Sequence, residues 1–157
     1  MRRTFLLLAA AAATLSTAAL AQPDFSRRPA FGTINLSSGF DGDPRIIDVT
    51  AGGQLNAATL GEGCVGSVAN APDVRLNYEA GDTLPLIVSV SSADDTTLVI
   101  NGPDGRWYCD DDGGENGLNP AVRFDSPQSG QYDIYIGHYQ QGRRVPARLF
   151  ISEVTSE

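Results

Sequence analysis

The chain has 157 residues, of which 11 are basic and 19 acidic, giving a formal charge of −8, and 41% are apolar. That is the length of one ordinary domain with enough apolar side chains for a core. An acidic surface repels phosphate backbones and anionic lipid, which argues against nucleic acid or a membrane surface as partner.

The first residues form their own unit. Met1-Arg2-Arg3 precedes the apolar run Phe5–Ala13, and small residues follow, ending Ala19-Leu20-Ala21. A basic start, a short apolar run and an A-x-A ending describe a secretory signal peptide over residues 1–21. The run falls short of the roughly 20 residues that a spanning helix needs. No Cys lies near the cleavage site, which argues against a lipid anchor. The mature chain is expected to be periplasmic or extracellular, with no membrane span. Loss of Arg2 and Arg3 takes its charge from −8 to −10.

Gln22–Pro29 is polar and reads as a flexible arm. From residue 30 to 157 the pattern is that of strands. Ala30–Leu36 is a strand candidate weakened by Gly32, and Arg45–Thr50 is a short β-rich run. Gln54–Gly63 is small and polar, a loop or one irregular turn, and Cys64–Val68 is a weak strand. Asp73–Tyr78 alternates, with Val74, Leu76 and Tyr78 on one face. In Leu84–Ser91 the apolar residues likewise recur at every second position, and Pro85 suits a strand entrance. Thr96–Asn101 is strongly β-branched. The turn Asn101–Gly105 follows, where Pro103 sets φ and Gly105 takes a positive φ, and Arg106–Cys109 returns to complete a hairpin. Asp110–Pro120 is an acidic, Gly-rich loop. Ala121–Phe124, Gln131–Tyr139 and Val145–Val154 complete the set, with Tyr132, Ile134 and Ile136 inward in the second of these.

No stretch holds a 3.6-residue apolar period. Short strands with frequent turns predict one antiparallel β-sandwich, jelly-roll-like, of about eight strands. Cys64 and Cys109 are the two cysteines of an exported chain, and a disulfide between them is expected. It closes a loop of about 45 residues, worth on the order of 4 kcal/mol in the chain-entropy model.

Residues 73–152 resemble the bacterial pre-peptidase C-terminal domain. The resemblance is carried by Leu76–Asp82, by Asp95–Ile100 with Pro103-Asp104-Gly105, by Asp111-Asp112-Gly113, and by Pro127–Gly137. It implies a secreted jelly-roll-like sandwich with a binding or accessory role. In that family the module is usually fused to a catalytic domain, and none is attached here.

The chemistry is weighed against that role. A Ser-His-Asp mechanism needs a His beside the nucleophile. The single His is His138, no G-x-S-x-G elbow is present, and Ser67 is the one Ser in a suggestive setting. Paired carboxylates run glycoside hydrolysis, but a general acid needs an apolar pocket, and Asp110–Asp112 lie in a Gly-rich loop. Calcium suits that loop better, because Ca²⁺ takes six to eight oxygens. The candidate ligands are Asp95, Asp110, Asp111, Asp112, Glu115, Asn116 and Asn119, although the spacing is not that of an EF-hand. The competing reading is a solvated acidic turn. Trp107, Tyr108, Tyr135 and Tyr139 are a candidate ligand face, against ordinary packing; Trp107 and Tyr108 are adjacent in a strand and so point to opposite sides.

The expectation is an exported, non-catalytic module. Its partner is a protein or polysaccharide of the envelope or exterior, its one candidate cofactor is calcium, and it has no catalytic residues. The alternatives are a peptidase-related or other hydrolase, and a modulator of a cell-envelope peptidase.

Overall fold

A computed structural model describes residues 21–157. The signal-peptide segment therefore lies outside the described residues, apart from Ala21. Among the described residues there is no α-helix, and no helix is long and apolar enough to cross a membrane.

Among the described residues, eleven strands form two packed sheets. In the first, β10 (Gly130–His138) is the hub. It pairs β5 (Val74–Glu79) over Gly130–Ile134 and β7 (Thr96–Asn101) over Asp133–His138. Beyond β5 lies β1 (Thr33–Ser37), and beyond β7 lies β8 (Trp107–Asp110). Past the end of β5, two short strands extend the sheet: β4 (Ser67–Val68) pairs β10 at His138, and β3 (Leu55–Asn56) pairs β4. The second sheet runs β2 (Arg45–Ala51), β11 (Val145–Ser152), β6 (Leu86–Ser91), β9 (Ala121–Phe124). All pairs are antiparallel except β1 with β5. The predicted sandwich and disulfide are present, with more strands than the eight or so expected and one parallel pair among them.

Alternation explains the core. Val74, Leu76, Leu98, Ile100, Ile134 and Ile136 point between the sheets, meeting Leu86, Val88, Val90, Leu149 and Ile151 from the other side. Each such side chain contributes roughly 1.5–3 kcal/mol of burial.

The opposite side of β7 and β10 is covered too. Val99 and Tyr135 lie beneath a lobe that contributes Ala57, Cys64 and Val68, with a single 3-10 turn over Ala57–Thr59. The Cys64–Cys109 disulfide ties the lobe to β8, with Cα atoms 5.0 Å apart. Two glycines let the lobe approach. A Cβ on Gly53 would sit 2.0 Å from the Val68 carbonyl oxygen. Gly66 has φ +78° and leaves no room for a Cβ beside the His138 carbonyl.

Residues 22–29, expected as a flexible arm, lie along the same outer face. Asp24 N–H donates to Asn70 O at 2.7 Å, and Arg75 donates to the carbonyls of Phe25 and Arg27.

Candidate functional site

Register gathers the chemically suggestive loops at one end of the sandwich. His138 pairs Thr96 and Ser67, Leu98 pairs Asp110, and Val145 pairs Ala51. The turns Ser92–Asp95 and Tyr139–Arg144 and the loop Asp111–Pro120 therefore converge there. Backbone bonds lock them together. Tyr139 N–H donates to Asp95 O (3.2 Å), Thr96 N–H to Leu118 O (3.1 Å), and Val90 N–H to Pro120 O (3.1 Å).

The seven candidate calcium ligands divide into three kinds. Asp110 Oδ2 accepts from Gly113 N–H (2.7 Å) and Ala121 N–H (3.0 Å), so this carboxylate brackets the two ends of the loop. Asn119 is buried; its Oδ1 accepts from Thr96 Oγ1 (2.7 Å) and its Nδ2 donates to Ser92 O (3.0 Å). Both are spent on the fold. Glu115 and Asn116 are exposed. Asp95, Asp111 and Asp112 share one electrostatic neighbourhood. Burial, then Asp112, Asp110 and Asp95, push the Asp111 carboxyl above its ordinary range. Burial, then Asp112, raise Asp95, while His138 opposes the rise. Among the described residues, no three His, Cys, Asp or Glu side chains converge as metal ligands do.

His138 and Ser67 are cross-strand neighbours, and both are buried. Gln140 N–H donates to His138 Nδ1 at 2.8 Å, so in the neutral ring the proton sits on Nε2. Nε2 is buried without a hydrogen-bond partner, and its charged neighbour is Asp94 Oδ1 at 3.9 Å. No hydrogen bond joins either nitrogen to a hydroxyl, which a general base for a nucleophile requires. Asp94 Oδ1 also accepts from Arg143 Nη2 at 3.3 Å. A groove of about 480 Å³ opens beside Asp94, lined also by Asp48, Ser91, Pro146 and Arg148.

The four candidate ligand-face aromatics do not form one face. Tyr135 is fully buried under the lobe. Trp107 packs on it with centroids 5.8 Å apart and is itself flanked by Phe25 at 6.5 Å. Tyr108 points the other way, as strand geometry requires, stacking edge-on with Phe124 and donating to Asp104 Oδ2 at 2.7 Å. Tyr139 alone of the four is well exposed, at 52%, and Leu118 at the same end is 56% exposed.

Among the described residues, three buried carboxylates lie outside the candidates above: Asp73, Asp133 and Glu153, the last accepting from Gly39 N–H (2.8 Å) and the Tyr78 hydroxyl (2.5 Å). Asp133 bonds Arg75 Nε at 2.7 Å and Gln131 Nε2 at 2.6 Å on the outer face of β10. Asp73 is buried, and its Oδ2 accepts from Ile136 N–H at 2.7 Å. Burial pushes its carboxyl up to about 7, against the Ile136 amide and Arg144, which both favour the anion. The available signal for Asp133 was a lone acid between Tyr132 and Ile134 in an apolar strand.

The geometry defines a two-sheet β-sandwich with a locked, acidic loop end. No family model matches the chain, and no curated protein matches it. Among solved structures, PliG of Aeromonas hydrophila, a periplasmic lysozyme inhibitor of g-type lysozyme, is 14% identical with a TM-score of 0.35. The match covers 76% of this chain and 96% of that one. Similarity at that level transfers neither fold detail nor function.

Proposed function

We propose that this chain is an exported, non-catalytic binding or accessory module, a relative of the pre-peptidase C-terminal domains. It engages a protein or polysaccharide of the envelope or exterior through its loop end. The observation that carries this reading is the contrast within that end. Tyr139 and Leu118 are held exposed on hydrogen-bonded backbone, whereas neither nitrogen of the single His hydrogen-bonds a hydroxyl. Rigid loops on a packed scaffold are how sandwiches present binding residues. The P-D-G hairpin between β7 and β8 and the S-G-Q-Y entrance to β10 support the family relation.

Calcium enters this proposal only as a loosely held counter-ion near Asp95, Asp111 and Asp112, which repel one another but do not converge as metal ligands do.

The test is the purified mature chain incubated with casein and with chromogenic glycosides. No turnover is expected. Turnover that disappears in His138→Ala or Ser67→Ala refutes the reading and restores the hydrolase. Fractionation of cells making the full chain tests export; uncleaved protein in the cytosol overturns that part.

A further inference from the structure

We propose that the loop end docks a cationic protein segment, with Tyr139 and Leu118 as apolar anchors inside a carboxylate rim; this rests on the reading of the chain as a binding module.

The anchors come first. Neighbouring exposed apolar side chains mark interaction surfaces where isolated ones do not, and Tyr is favoured among residues that carry binding energy. Tyr139 and Leu118 are both exposed and are held at neighbouring places, because their backbones bond to the successive residues Asp95 and Thr96.

Charge selects the partner. Asp94, Asp95, Asp110–Asp112 and Glu115 place six carboxylates at this end against two guanidiniums, Arg143 and Arg144, a local charge of −6 + 2 = −4. Such a rim attracts a basic surface and rejects an acidic one. A neutral polysaccharide gains nothing from it, and an anionic one is repelled.

A third observation is independent of both. The buried His138 Nε2 has no partner and faces Asp94 Oδ1 at 3.9 Å, while that oxygen already holds a half-exposed guanidinium, Arg143, at 3.3 Å. Arg143 is thus an intramolecular stand-in for an arginine of the partner. When an incoming guanidinium displaces it, the imidazole N–H lies beside Asp94 to keep that carboxylate partnered.

The experiment measures binding of the mature chain to three labelled peptides of equal length: alternating Arg and Leu, alternating Arg and Ser, and alternating Glu and Leu. Arg–Leu is expected to bind, at least about tenfold tighter than Arg–Ser, which is about 1.4 kcal/mol. Glu–Leu is expected not to bind, and added salt is expected to weaken Arg–Leu. Tyr139→Ser, and Asp95→Asn with Asp112→Asn, should each weaken Arg–Leu roughly tenfold. Arg143→Gln should tighten it, and Asp125→Asn at the far end should leave it unchanged. Unaltered melting of Tyr139→Ser confirms that folding is intact; Leu118→Ser is the second anchor variant if it is not.

Equal binding of Arg–Leu and Arg–Ser, or indifference to the anchor and rim variants, overturns the proposal as diffuse charge attraction. Binding of an envelope polysaccharide with none of the peptides bound also overturns it, yet leaves the binding-module reading standing. Casein turnover lost in His138→Ala removes that reading itself.

Discussion

Asp73→Asn is the most informative single change to stability. The Asp73 carboxyl is buried, bonded to Ile136 N–H, and pushed up to about 7 from an ordinary 3.8. In the unfolded chain it gives up its proton near pH 3.8; in the folded chain it keeps it to about pH 7. Between those values the native state binds the extra proton, so native stability falls as pH rises through the window. The difference is 7 − 3.8 = 3.2 units, or about 4 kcal/mol at about 1.4 kcal/mol per unit. That is a large part of the roughly 5–15 kcal/mol that holds a domain together. Asparagine has the same shape, its carbonyl still accepts from Ile136, and it does not ionise. Urea unfolding of both proteins at pH 4 and pH 8 isolates the effect, because every other titrating group is common to the two. The wild type should lose about 4 kcal/mol relative to the variant between those pH values. At pH 8 the variant should be the more stable protein. Parallel stability–pH curves would mean that the native carboxylate is already ionised at acid pH, which would refute the burial argument.

Other changes test the lobe and the loop. Cys64→Ala with Cys109→Ala should cost about 4 kcal/mol from the opened loop of about 45 residues, lowering Tm by roughly 10–15 °C in calorimetry. Gly66→Ala forces a Cβ to 2.7 Å from the His138 carbonyl at φ +78°, and should destabilise by about 2 kcal/mol or more in urea. Asn119→Ala leaves Thr96 Oγ1 and Ser92 O without a buried partner, costing about 1–3 kcal/mol, and should speed hydrogen exchange across residues 110–120. Calcium at a hundredfold excess over its Kd should stabilise the chain by about 2.7 kcal/mol relative to chelator. Identical melting curves would remove calcium from the account.

Which parts of this molecule were legible in its sequence follows from what alternation encodes. A period of two reports that a strand has faces, and Val74-Leu76-Tyr78 and Tyr132-Ile134-Ile136 point inward as read. It carries no information on direction, so the parallel partnership of β1 with β5 was invisible; that pairing is set by where the chain between them travels. Nor does it say what lies beyond the outward face. Tyr135 alternates outward and is nonetheless buried, because a lobe with irregular apolar spacing (Ala57, Cys64, Val68) folds over it. The same limit governed the loop. Counting oxygens within ten residues found a plausible ligand set, but Asp110 and Asn119 turn theirs on the backbone and on Thr96. A carboxylate in a Gly-rich loop has two uses, binding a ligand and tying off its own amides, and composition is the same for both. The polar residues that did carry a signal are those inside strands buried on both sides. Asp133 and His138 interrupt β10, where burying a polar group costs about 1–3 kcal/mol unless it is partnered. Asp133 has its partners in Arg75 and Gln131, while His138 keeps one nitrogen free toward Asp94. Tyr135 Oη in the same strand is likewise buried without a partner, so what sets His138 apart is its place at the loop end beside Asp94.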